Sequence, residues 1–278
     1  LLLALALTLT ICVAEVYGAY RSGSRSLLGD AQHMLSDVLG EVLALVGLSL
    51  AARPATDRRT FGWQRVELLL ALLQGVLLFG TATAVIASAA SRLGRPPEIQ
   101  TGLMLAVAVV GLLANLASAA LLHGSANLNV RGAYLHVLMD LLSSVAVLVT
   151  GLVMWLARGL YVLDAVAAIG IGLFIYYSAY RLVSDAVEVI LLSVPRGLRL
   201  DDIRAALAAL PGVSEVHDLH VFSVASGRSM LIAHLVVAAP EASSGDQVLR
   251  EGARLLRERF GITQATLQLE GRCCQPGP

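Results

Sequence analysis

Six predominantly apolar stretches, each long enough to cross a bilayer, fill the first two thirds of this chain: residues 1–20, 27–51, 66–91, 102–122, 133–157 and 162–183. About 20 apolar residues in a helix span roughly 30 Å of hydrocarbon. Such a chain must cross as helices, because a helix satisfies its own backbone groups where no water is available. The composition agrees: 57% of the 278 residues are hydrophobic and 14% are charged, against about 25% charged in a soluble domain. A purely soluble enzyme and a disordered regulator are thereby excluded; the surroundings are lipid. The formal net charge is zero, so nothing points to a nucleic-acid partner. Cys12 lies in an apolar run and Cys273 and Cys274 are adjacent, which gives no disulfide framework. The first stretch is longer than a signal-peptide core and reads as a span. Because the chain starts at Leu1 inside it, further N-terminal sequence is expected to precede.

The spans predict a transmembrane domain over residues 1–192. Six crossings put both termini on one side. That side carries Arg53, Arg58, Arg59, Arg65, Arg131, Arg181, Arg196 and Arg199, and the other carries Arg21, Arg25, Arg92, Arg95 and Arg158. The excess of arginine predicts that both termini are cytoplasmic. After Pro195 the pattern changes. Residues 200–210 read as a short helix, 213–224 and 230–239 as strands, 247–260 as an amphipathic helix and 263–269 as a third strand. The order α-β-β-α-β over residues 195–278 predicts a small ferredoxin-like α+β domain on the cytoplasmic side.

The informative residues are the polar ones inside the spans. His33 and Asp37 sit in the second, and His136 and Asp140 in the fifth. Each pair is spaced i, i+4, which puts both side chains on one helix face. A carboxylate in hydrocarbon costs a few kcal/mol or more unless it is partnered. One such pair alone reads as a buried ion pair. The same pair on two separate spans reads as a metal cage: two imidazole nitrogens and two carboxylate oxygens fill the tetrahedral shell that zinc prefers, and two carboxylates neutralise one divalent cation. Glu15, Glu41 and Glu67 either line an aqueous path or pair with arginines at helix ends. Asn115 is either an interhelical hydrogen bond or a path residue. Asp164, at the start of the sixth span, reads as a carboxylate favouring a helix N-terminus.

Ala14-Glu15-Val16-Tyr17-Gly18, followed by Gly29-Asp30-Ala31-Gln32-His33-Met34-Leu35-Ser36-Asp37, resembles the first two helices of the cation diffusion facilitator (zinc transporter, ZnT) family. Thr60-Phe61-Gly62-Trp63-Gln64-Arg65-Val66-Glu67 is similar to the family's loop into its third helix. Asn127-Leu128-Asn129-Val130-Arg131 with Leu135-His136-Val137-Leu138-Met139-Asp140 is similar to the start of its fifth. The resemblance covers nearly the whole chain. It implies a homodimeric six-helix transporter that exports divalent metal from the cytoplasm, with a metallochaperone-like C-terminal domain. His33, Asp37, His136 and Asp140 match the transport ligands, in the combination that members favouring zinc use. The loop after the second helix brings no histidine at Asp57 or Gln64, which argues against the further metal site some members carry there. The short connector 124–131 lacks the His-rich run of many eukaryotic members, so a bacterial inner membrane is expected.

No nucleotide-binding Gly-rich Lys-Ser/Thr loop is visible to drive transport. Protons are the expected coupling ion: imidazoles titrate near neutrality, and metal binding displaces protons from its ligands. In the C-terminal part, strict alternation along a strand turns His217 and His220 to opposite faces, so they are not expected to share a metal. The resemblance implies that His217, His234 and Glu270 occupy the family's cytoplasmic metal site, and that Cys273 and Cys274 are tail thiols for a second zinc. Residues 275–278, left to themselves, read as a Pro/Gly-rich tail. The expectation is therefore a Zn2+/H+ antiporter, with Cd2+ or Co2+ as further substrates and Zn2+ also as a structural or regulatory ion. A membrane metal sensor and a manganese- or iron-directed transporter are the alternatives. An intramembrane zinc enzyme is disfavoured, because four ligands leave no open position for water.

Overall fold

The computed structural model describes residues 2–122, 128–157, 159–225, 227–237 and 242–271, with side chains described except at 2–8, 41, 44, 121–122, 128–139 and 242–244. Six long helices come first: α1 (Leu2–Ser22), α2 (Arg25–Ala51), α3 (Val66–Ala90), α4 (Thr101–Leu122), α5 (Leu128–Ala157) and α6 (Val162–Ile190). By length and composition, α2 to α6 each contain a segment able to cross a membrane. α1 adds a sixth apolar helix of 21 residues. α6 runs past the expected end at 183 to Ile190, because Asp185 and Glu188 lower the hydropathy without breaking the helix. The chain then forms α7 (Leu200–Ala208), β1 (Val213–Ala225), β2 (Arg228–Val237), α8 (Ala242–Phe260) and β3 (Gln264–Glu270), in the expected order.

The chain divides into two compact units. The first comprises Leu1–Val46 and Leu70–Val183. Its interior holds Leu27, Met104, Met154 and Ile175, with Ala19, Ala82, Ala108 and Ala179 between them. Lipid tails are as apolar as leucine, so helices in a membrane associate through close van der Waals contact and need small residues where they meet. Gly18 of α1 is one such place: a Cβ there would sit 2.6 Å from Val107 of α4 and push the helices apart. Large apolar side chains such as Val76, Leu113, Leu142 and Leu173 remain exposed on the outside, as a lipid-facing surface requires.

The second unit comprises Gly47–Leu69 and Ser184–Pro278. Its sheet has the order β1-β2-β3, with β1 and β2 antiparallel and β2 and β3 parallel. The parallel pair needs a crossover, which α8 supplies. Leu231, Ala233, Leu235 and Val237 of β2 alternate inward and pack with Val216, Leu219 and Val221 of β1, Ile203 and Leu207 of α7 and Leu256 of α8. The opposite face of the sheet carries His217, His234 and Glu270.

β1 departs from strict alternation. His217 pairs with His234 but His220 pairs with Ile232, so three steps on β1 match two on β2. Asp218 takes up the extra residue in the left-handed region at φ 49°, a conformation that Asp adopts more readily than most side chains. The bulge keeps Val216, Leu219 and Val221 all inward. It also corrects the expectation from alternation: His217 and His220 share a face.

Candidate metal centres

The first candidate centre lies within the helical unit. His33 and Asp37 project from α2 and Asp140 from α5, and all three offer ligand atoms within 4.8 Å of one another. His33 Nδ1 is 3.6 Å from Asp37 Oδ2 and His33 Nε2 is 3.7 Å from Asp140 Oδ1. Both separations exceed a hydrogen bond. A single imidazole offers one nitrogen to a given ion; the Nε2–Asp140 separation is close to the edge of a tetrahedral zinc shell, about 3.4 Å for metal–ligand bonds of about 2.0–2.2 Å. His33 is 5% exposed and Asp140 7%, so both are shielded from solvent. Phe174 of α6 packs edge-on against the His33 ring, with centroids 5.9 Å apart. His136, the fourth expected ligand, lies on α5 four residues before Asp140, and its side chain is outside the described residues.

A second layer of polar groups, which the sequence reading did not assemble, lies one turn away. Ser143 Oγ donates to Asp30 Oδ1, Ser144 Oγ donates to Asp30 Oδ2 at 3.3 Å, and Asn115 Nδ2 donates to Ser144 Oγ at 3.0 Å. Asn115 is thus an interhelical hydrogen-bond donor. Glu15 of α1 is 1% exposed, with neither oxygen hydrogen-bonded among the described residues. Gly111 of α4 leaves room for its carboxylate, where a Cβ would collide with Oε1. Glu67 lies in the first turn of α3, and the side chain of Glu41 is outside the described residues.

Asp164 sits in the first turn of α6, yet its carboxylate serves a different helix start. Ser24 Oγ (2.5 Å), Ser26 Oγ (2.6 Å) and Ser26 N–H (3.1 Å) donate to Oδ1, and Arg25 N–H (2.6 Å) donates to Oδ2. It caps the N-terminus of α2 from across the bundle. Gly23, at φ 77°, makes the sharp turn between α1 and α2. Arg92 Nη1 donates to Gly23 O at 2.8 Å and Gln100 N–H to Ser22 O at 3.0 Å, fastening the same turn from the α3–α4 connector.

The second candidate centre lies on the open face of the sheet. His217 Nε2 is 3.1 Å from Glu270 Oε2 and His234 Nδ1 is 2.8 Å from Glu270 Oε1. Gln268 Nε2 donates to Glu270 Oε1 at 2.9 Å. Cross-strand register brings the two rings together, with centroids 5.2 Å apart. Glu270 is 6% exposed, although it closes an edge strand. Asp218, displaced by the bulge, reaches His234 Nε2 at 3.7 Å and His220 Nε2 at 2.9 Å. Two imidazoles and a carboxylate form a donor set suited to zinc, with a coordination position left over. Cys273 and Cys274 lie outside the described residues; Cys12 is a free, buried thiol.

The cation efflux transmembrane domain matches residues 1–191, and the cytoplasmic domain of cation efflux proteins matches residues 195–272. The chain belongs to the cation diffusion facilitator family. It is a multi-pass membrane protein of a cation efflux family. It is 38% identical over 278 residues to the metal cation efflux system protein CzcD of Cupriavidus metallidurans, covering 98% of this chain and 86% of CzcD. The cadmium, cobalt and zinc/H(+)-K(+) antiporter of Bacillus subtilis is 34% identical over 264 residues, 93% of this chain and 84% of the antiporter. The zinc transporter ZitB of Escherichia coli is 35% identical over 283 residues, 100% of this chain and 88% of ZitB.

Proposed function

We propose that the chain exports Zn2+ from the cytoplasm in exchange for protons, through a tetrahedral site made by His33, Asp37, His136 and Asp140. The observation that carries this reading is the convergence of His33, Asp37 and Asp140, from two membrane-spanning helices, with one ligand atom each within 4.8 Å of one another. The relatives named for zinc, cadmium and cobalt support the substrate class, and the one named as an antiporter supports proton coupling. The substrate enters with two positive charges and meets two carboxylates, so the loaded site is neutral at membrane depth. Protons replace it on the same groups when it leaves. Residues 1–192 form the transport domain and work in a homodimer by alternating access. Residues 195–278 form the cytoplasmic domain, with both termini cytoplasmic in a bacterial inner membrane. In that domain His217, His234 and Glu270 hold a regulatory or structural zinc, joined by Cys273 and Cys274.

Proteoliposomes with a pH indicator inside test the coupling. Zinc entry is expected to be accompanied by proton exit at a fixed ratio, and zinc entry without proton movement would contradict the exchange. A His33→Asp variant is expected to transport manganese better relative to zinc, because a hard oxygen replaces a borderline nitrogen. Unchanged relative rates would count against His33 as a ligand.

The cytoplasmic centre separates from transport by stoichiometry. In purified full-length protein, Glu270→Gln is expected to lower bound zinc by about one ion per chain, because a neutral amide is a poor zinc ligand. The same preparation is expected still to transport. Unchanged zinc content on elemental analysis would remove Glu270 from the site.

A further inference from the structure

Asp30 stands one helical turn from His33 on α2, and Ser143 one turn from Asp140 on α5, about 4.5 Å along each axis. The two positions face each other: Ser143 Oγ donates to Asp30 Oδ1. Ser144 takes the other oxygen, and Asn115 of α4 holds Ser144. All four groups are buried, at 2% exposure for Asp30, 8% for Ser143, 1% for Ser144 and 5% for Asn115. One turn away, the same two helices present the ligands, with His33 Nε2 and Asp140 Oδ1 3.7 Å apart across the seam.

The spacing between two helices in lipid is free to adjust unless specific contacts fix it, since no hydrophobic drive presses them together. Here a carboxylate held at both oxygens by hydroxyls of consecutive residues on the facing helix fixes it. A tetrahedral cage for zinc needs an edge of about 3.4 Å. A larger cation such as cadmium needs a longer edge, and manganese favours a six-oxygen shell. Either would require α2 and α5 to move apart, against the cross-link one turn away. We propose that the Asp30–Ser143–Ser144–Asn115 network is a positioning device that sets the separation of the α2 and α5 ligand pairs and so selects zinc against larger divalent cations. This rests on the transport site proposed above. The serines and the amide touch no substrate; they act through His33 and Asp140.

The test compares Zn2+ and Cd2+ uptake by full-length protein in proteoliposomes containing a metal indicator, for the unaltered chain, Ser143→Ala, Ser143→Thr and Asp140→Ala. Ser143→Ala is expected to lower the zinc-to-cadmium ratio of apparent affinities by about tenfold, the scale on which outer partners tune metal sites. Ser143→Thr keeps the hydroxyl and is expected to restore the ratio. If both metals weaken together at a constant ratio, the network is only helix–helix adhesion and the proposal is overturned. Should Ser143→Ala fail to fold, Asp30→Asn keeps the size and one good acceptor and carries the same comparison. Asp140→Ala separates the two readings: zinc flux surviving in that variant would overturn the transport site itself, whatever Ser143 does.

Discussion

Alanine at Asp140 is expected to reduce zinc flux by about a hundredfold or more in proteoliposomes. The loaded site would then hold two positive charges against a single carboxylate at Asp37. An unbalanced charge at the centre of a membrane helix costs about 2.5–3.5 kcal/mol on the lowest scales, and each 1.4 kcal/mol is a factor of ten. Asp140 is 7% exposed, so water does not substitute for the lost oxygen. The control is a monodisperse, helical preparation of the variant with cytoplasmic zinc still bound. Flux within a factor of three of the unaltered protein would show that Asp140 is not a ligand.

Asp164→Ala is expected to be the most destabilising single change outside the metal centres. The substitution strands four donors, namely the hydroxyls of Ser24 and Ser26 and the N–H groups of Arg25 and Ser26, around a carboxylate that is 2% exposed. A buried donor left without a partner costs about 1–3 kcal/mol. After relaxation and water entry at the helix start, a loss on the order of 3–5 kcal/mol is expected. It is read as a lower apparent Tm in detergent, with zinc affinity at the intramembrane site changed far less. Asp164→Asn retains one acceptor oxygen and should lose roughly half as much. An unchanged Tm in Asp164→Ala would mean that the α1–α2 turn does not depend on this cap.

The helices were legible because a span must be apolar throughout its length, a constraint that survives any packing arrangement. The start of α3 at Val66 coincides with the sequence reading and that of α4 at Thr101 falls one residue before it. α6 ends later than the hydropathy does, since polarity at Asp185 and Glu188 marks a change of surroundings and not a break in hydrogen bonding. The two His–Asp pairs were legible as candidate ligands for a related reason: the spacing of His33 to Asp37 and of His136 to Asp140 fixes a face without reference to other helices. Which face of α2 meets which face of α5 is a tertiary fact. Asp30, Ser143 and Ser144 therefore did not stand out, and Asp164 was assigned to its own helix end and not to that of α2. The bulge at Asp218 was also hidden, because the His217–His220 segment reads as a regular strand and only the inward demands of Val216, Leu219 and Val221 force the extra residue.

Zinc K-edge absorption spectroscopy on purified protein carrying Glu270→Gln, His234→Ala, Cys273→Ser and Cys274→Ser, with one zinc bound per chain, tests the central claim most directly. The account predicts four nitrogen and oxygen neighbours at about 2.0–2.1 Å, with the multiple-scattering signature of two imidazoles and no sulfur. A sulfur shell at about 2.3 Å, or six oxygen neighbours without imidazole scattering, would contradict the site made by His33, Asp37, His136 and Asp140.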